Sequence, residues 1–296
     1  MPPEPSIARV PGTGAHVIVD SADTGVVRTS SGRFLRLVSP PPGLLDVLGG
    51  ASAGDGEAAS YAEALRATMS SHEEEDAQCR WPRPRREVAL VGRNPLVDAV
   101  AEALADCGAR LTRHTDGEAL LAATDGAIGG DRGDQGADGP RAEGPWPWGL
   151  VVAYADSPAE RVGWDRLDAL PGQGVAWLRA YREGENCFVD PICLTGDDPG
   201  AEQVYRRRLA ASFVPRELDT WRRAAVADTP PSPAARTLLT SRLLTMALAW
   251  AQESDTLEHH RGTLWKLVPA TGTVSEHPVL SYDPPPAIDR GARERV

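Results

Sequence analysis

The residue types able to do chemistry are scattered along this chain, and their spacing decides what each can do. His259-His260 is the only adjacent histidine pair. Side chains adjacent in sequence point apart on a helix or a strand, so no shared metal is expected there. Asp197-Asp198 lies among Gly and Pro and reads as a turn. Cys79, Cys107, Cys187 and Cys193 contain no C-x-x-C pair, so the common zinc spacing is absent and reduced thiols are expected. No serine sits in a G-x-S-x-G elbow. Arg206-Arg207-Arg208 has the chemistry to grip a phosphate or an acidic partner, and equally that of a solvated helix face. Lys266 is the only lysine, so any lysine-dependent mechanism would rest on it. These residues define no catalytic set, no cofactor site and no metal site.

The clearest positioning element is the stretch Arg86 to His114. Glu87-Val88-Ala89-Leu90-Val91 is an apolar strand, followed by Gly92. Pro95 suits a first helical turn. From Leu96 to Cys107 apolar residues recur at spacings of three and four, the period of one helix face, and Gly108 stops the helix. Ala109 to Arg113 is a second strand. This is half of a nucleotide-binding βαβ unit. A phosphate grip needs several glycines at the helix N-terminus. Here Gly92 stands alone before Arg93, Asn94 and Pro95, and Pro95 removes one N–H. The unit reads as a Rossmann-like framework without a nucleotide.

The chain has 296 residues, room for about two domains, and a formal charge of −11 that argues against nucleic acid as a partner. No N-terminal segment pairs basic residues with an apolar core, and no apolar run reaches ~18 residues. A cytoplasmic protein without a membrane span is expected. Residues 1–80 read as a small unit. Met1 to Gly14 is a loose tail. Strands follow at Ala15–Asp20, Gly25–Thr29 and Gly32–Val38, then a short helix from Pro42 ended by Gly49-Gly50. A second helix runs from Ala59 to Met69, with Tyr61, Ala64, Leu65 and Thr68 on one side. Three strands with two or more helices suggest a winged-helix-like α+β module. Such a small sheet offers an edge to which a peptide can add as a strand. Otherwise the module is a packed cap. Ser71 to Arg86, with Glu73-Glu74-Glu75-Asp76, reads as a linker.

Residues 81–296 read as an α/β domain. The Gly- and Asp-rich stretch near 125–147 is expected to be a disordered loop. A buried strand returns at Gly149 to Tyr154. Next come a helix from Asp156 to about Leu170, strands at Gly174–Arg179 and Glu185–Ile192, and helices at Pro199–Ser212 and Glu217–Ala227. Ser232-Pro233 caps the longest helix, Ala234 to Glu253. Its stripe of Leu238, Leu239, Leu243, Leu244, Met246, Leu248 and Trp250 suits a core or a dimer face. A hairpin of Gly262–Val268 and Thr273–Leu280 closes the domain.

The order of these parts resembles one family. The matching stretches are His16-Val17-Ile18-Val19-Asp20, Arg33-Phe34-Leu35-Arg36-Leu37 with the Leu44–Leu48 helix, and Val88-Ala89-Leu90-Val91-Gly92. Later ones are Leu150-Val151-Val152, Pro199-Gly200 leading into Arg206-Arg207-Arg208, and His277-Pro278-Val279-Leu280. Together they are similar to the ThiF-like proteins, relatives of ubiquitin-activating enzymes, that partner YcaO cyclodehydratases when ribosomal peptides acquire azoles, as in thiopeptides. The resemblance implies an N-terminal winged-helix-like element that recognises the precursor's leader peptide, followed by a Rossmann-like ThiF-like domain. It implies that the leader adds as a strand beside Arg33 to Val38. Arg33 and Arg36 would pair with leader acids, and Phe34, Leu35 and Leu37 would divide between core and leader anchors, beside Tyr61 and Leu65 of the helix. The partners implied are the precursor peptide and a YcaO-type cyclodehydratase. Two family features are absent: the paired C-x-x-C zinc motifs and the glycine-rich ATP loop. That points to a non-catalytic scaffold with no cofactor. A divergent adenylating or nucleotide-using enzyme, and a structural homodimer subunit joined through the Leu238–Trp250 helix, are the other readings.

Overall fold

A computed structural model describes residues 6–21, 24–51, 56–129, 146–224 and 229–282. The chain divides into two compact units, Met1–Arg80 and Trp81–Val296.

The first unit is an antiparallel sheet in the order β1-β2-β3-β4. Its strands are β1 (Ser6–Arg9), β2 (His16–Ser21), β3 (Thr24–Arg28) and β4 (Phe34–Leu37). β1 lies inside the expected N-terminal tail; four residues with Ile7 and Arg9 on one face and Ala8 on the other are enough for an edge strand. Two helices, α1 (Leu44–Leu48) and α2 (Gly56–Arg80), follow. The buried stripe of α2 is Ala58, Ala62, Leu65 and Met69, rather than one through Ala64 and Thr68, which are exposed. Ala62, Leu65 and Met69 pack with Val17, Val27, Leu37, Leu44 and Leu48 in the core. α2 also runs straight through the acidic segment expected to be a linker. Two of its carboxylates reach residues outside the helix. Glu73 accepts the Gly14 N–H at 2.7 Å and Asp76 pairs with Arg33 at 2.9 Å.

The second unit holds a seven-stranded sheet in the order β11-β10-β9-β8-β7-β5-β6. Its first half is β5 (Glu87–Val91), α3 (Pro95–Asp106), β6 (Arg110–His114), α4 (Gly117–Gly129), β7 (Leu150–Ala155), α5 (Trp164–Leu167) and β8 (Ala176–Glu183). β6, β5, β7 and β8 run parallel, and the order reverses between β5 and β7. This is doubly wound Rossmann-like topology, so the molecule is α/β as expected. Then come β9 (Asn186–Val189), α6 (Ala201–Ala210), α7 (Pro215–Ala224), α8 (Pro233–Gln252), α9 (Leu257–Arg261), β10 (Thr263–Val268) and β11 (Thr273–Pro278). The last strands join antiparallel.

Every residue of β7 and β8 is buried, because both sheet faces are covered. Val88, Leu90, Val152 and Leu178 meet α3 and α8 on one face. Ala89, Val91, Val151 and Trp177 meet Leu120, Trp164, Leu167 and Val204 on the other. On α8, Leu239, Leu243, Met246 and Trp250 are core, whereas Leu238 is exposed. The helix expected from Asp156 to Leu170 is instead broken into short turns around α5. Gly163 takes φ +78° there, in close approach to the backbone of Gly117 and Glu118. Residues 130–145 of the expected loop lie outside the described residues.

Candidate peptide-binding edge

Among the described residues β4 has one strand neighbour, β3, and no strand pairs with its far side. Its pairing shows which main-chain groups face that side. The Thr29 N–H donates to the Arg33 carbonyl at 2.8 Å, which makes this the hydrogen-bonded type of antiparallel pair. The types alternate along a ladder, so the N–H and C=O of Phe34 and Arg36 point away from β3. The Val38 carbonyl follows the same parity and accepts a hydrogen bond from the Tyr61 hydroxyl at 3.0 Å. Tyr61 of α2 thus stands beside this edge.

The other six residues singled out from the sequence divide into four groups. Leu37 and Leu65, 7% and 8% exposed, are core. Leu35 is half-buried against that core. Arg33 is held by Asp76 of α2. Phe34, 61% exposed, and Arg36 lie on the sheet face away from the core. Val38, 75% exposed just past the strand, is a further apolar side chain at this edge. Sequence reading placed Arg33 and Arg36 in one role. Only the fold separates them, because the partner of Arg33 lies 43 residues away.

The other place where this fold could hold a ligand is the switch point between β5 and β7. Gly92 has φ +135°, and a Cβ on it would lie 2.7 Å from the Tyr154 carbonyl oxygen and 2.8 Å from Val97 Cγ2. The glycine therefore serves strand–helix packing. The Asn94 side chain accepts from the N–H groups of Leu96 and Val97, both at 3.2 Å. Pro95 has no N–H. The donors that would cradle a phosphate are occupied within the helix cap itself.

Charged groups buried on and beside β8 are mutually engaged. Arg179 pairs with Asp168 and, at 3.2 Å, with Asp190. Arg208 of α6 makes a two-pronged pair with Glu183 and stacks over Phe188 at 4.0 Å. Arg161 stacks over the Tyr181 ring at 4.1 Å. Burial opposes ionisation of Glu183, but the Arg208 hydrogen bonds and charge outweigh it and hold its carboxyl below the usual range. Of the expected arginine face, then, Arg207 is exposed, Arg206 pairs with Glu202, and Arg208, largely covered, pairs with the buried Glu183.

All four cysteines are free thiols. Burial pushes Cys187 up to about 11 and Cys193 up to about 12, away from thiolate chemistry. Among the described residues no group of three or more His, Cys, Asp or Glu is placed to hold a metal ion. No helix among them is long and apolar enough to cross a membrane.

No family model and no curated protein matches the sequence. Among solved structures, a chain of the E. coli microcin synthetase McbBCD complex with pro-MccB17 bound has a TM-score of 0.47 at 12% identity, over 94% of this chain and 98% of that one. E. coli MccB has a TM-score of 0.47 at 8% identity, over 82% of this chain and 73% of that one. A heterocyclase in complex with substrate and cofactor has a TM-score of 0.46 at 13% identity, over 94% of this chain. This chain spans 38% of that heterocyclase. Likenesses of this degree carry no argument about activity or partners.

Proposed function

We propose that this protein is a non-catalytic scaffold that binds the leader region of a ribosomal precursor peptide. It presents the peptide to a separate YcaO-type cyclodehydratase, which spends ATP to turn Cys, Ser or Thr into azolines. The observation that carries the proposal is the β4 edge that no other described strand pairs, with the main-chain groups of Phe34 and Arg36 facing outward and Tyr61 of α2 beside it. Strand addition there supplies main-chain hydrogen bonds for affinity. Phe34 and Arg36 supply side-chain selection, an apolar contact and a partner for a leader carboxylate. The sequence resemblance to ThiF-like partner proteins supports the same reading. The occupied donors at the start of α3 favour it over a nucleotide-using enzyme. The scaffold contributes raised local concentration rather than chemistry.

The test is fluorescence anisotropy with labelled leader peptides from precursor genes neighbouring this one. A micromolar or tighter Kd is expected. The Phe34→Ala and Arg36→Glu variants should weaken it about tenfold, or about 1.4 kcal/mol, with unchanged melting temperature. Absence of binding up to ~100 μM, worth only about −5.5 kcal/mol, rejects the proposal. An ATP-dependent rise in melting temperature would then favour the nucleotide-using enzyme.

A further inference from the structure

The helix side of the first unit's sheet is filled by the core, while Ile7, Arg9, Arg28, Phe34 and Arg36 on its opposite side are exposed. Strand register aligns Ile7, Ile18 and Val26 across β1, β2 and β3. It aligns Arg9, His16 and Arg28 in the adjacent row. Ile7 is 64% exposed, and Arg9 and Arg28 are exposed. On β4 the pattern is swapped, with Arg36 continuing the apolar row and Phe34 the basic one. No carboxylate stands on this face among the described side chains. Arg9, Arg28 and Arg36 make no ion pair among the described residues; the Arg9 Nε–H donates to the Thr13 carbonyl at 2.9 Å.

Arg9 and Arg28 flank His16 in this row, and among the described residues no carboxylate pairs with either arginine. The arrangement is a local inversion in a chain whose formal charge is −11. A second copy of the chain would present the same basic face and be repelled. Nucleic acid would need a series of stacking rings, and this face carries a single phenyl ring, Phe34. Three apolar side chains in a row beside a basic row instead complement an amphipathic helix with one acidic flank.

We infer that this face docks an acidic amphipathic helix of a partner polypeptide, laid across the strands. The apolar stripe of the helix rests on Ile7, Ile18 and Val26, and its carboxylates stand over Arg9 and Arg28. The four strands span about 14 Å at ~4.8 Å per step, the length of about ten helical residues. The two rows lie about 7 Å apart, within reach of the flank of one helix. This inference is independent of strand addition at β4.

The full chain is titrated into a fluorescein-labelled peptide of about 18 residues, with Leu at helical spacing and Glu along one flank. Binding below ~100 μM is expected, weakened about tenfold by the Arg9→Glu/Arg28→Glu pair and by raising salt to about 0.3 M. Ile7→Ser should weaken it as well, with melting temperatures unchanged in all variants. Absence of binding, or binding indifferent to charge reversal, overturns the inference. So does preference for a single-stranded oligonucleotide over the peptide. Leader-peptide anisotropy on the same variants should be unchanged, which separates this face from the β4 edge.

Discussion

At the scale of single residues, His260 gives the sharpest expectation. It is 5% exposed, and neither ring nitrogen has a hydrogen-bond partner among the described residues. Burial, followed by the nearby Arg242 and His259, lowers it from its ordinary 6.5 to about 4. The folded state therefore disfavours the imidazolium while the unfolded chain accepts it. Its contribution to stability is complete above about pH 6.5 and is lost as pH falls towards 4, by up to about 3 kcal/mol. Between pH 7 and 4.5 the melting temperature of the native protein should fall further than that of His260→Gln. Parallel pH curves for the two would show that His260 is not the titrating group. In sequence His260 was one half of a histidine pair. What sets its chemistry is the apolar packing of α9 and the guanidinium of α8, neither of which its neighbours announce.

At the scale of elements, the extent of α2 and the docking of α6 show how charge is used. α2 carries few apolar residues beyond Met69, and periodicity alone ends it there. It continues because Glu73 and Asp76 reach an N–H and a guanidinium of the sheet loops. On α6, Arg208 reaches Glu183, which β8 has taken out of water. Removing Arg208 takes both of Glu183's hydrogen bonds and leaves it only the longer pair with Arg161 at 3.6 Å, a cost of about 3 kcal/mol. Arg208→Ala should therefore lose about that much stability in urea denaturation, while Arg207→Ala, on the exposed side, should change it by less than ~0.5 kcal/mol. Equal losses would mean that the pair is not what holds α6. The three arginines are indistinguishable in sequence; a helix rotates them by about 100° each, so one faces the sheet and another faces water.

At the scale of the whole molecule, each unit has a core of its own. Leu243 lies in the layer between the sheet and α8 of the second unit. Leu243→Ala should cost about 2–5 kcal/mol by leaving a cavity. Below its transition, the variant should bind leader peptide as the native chain does; loss of binding in a still-folded variant would tie the recognition edge to the second unit. By itself the sequence determined the α/β class, the β5-α3-β6 unit, the cap at Ser232, the closing hairpin and the strands β2, β3 and β4 of the first unit. Those follow from local periodicity, proline and glycine, and capping residues, which act over a few positions. The tertiary structure alone decided that Ser6–Arg9 is a strand, that β4 is an edge, that Leu37 and Leu65 are core while Phe34 and Arg36 are exposed, and that Arg208 pairs with the buried Glu183. Strand order and burial depend on contacts between residues far apart in the chain, and no local pattern records them.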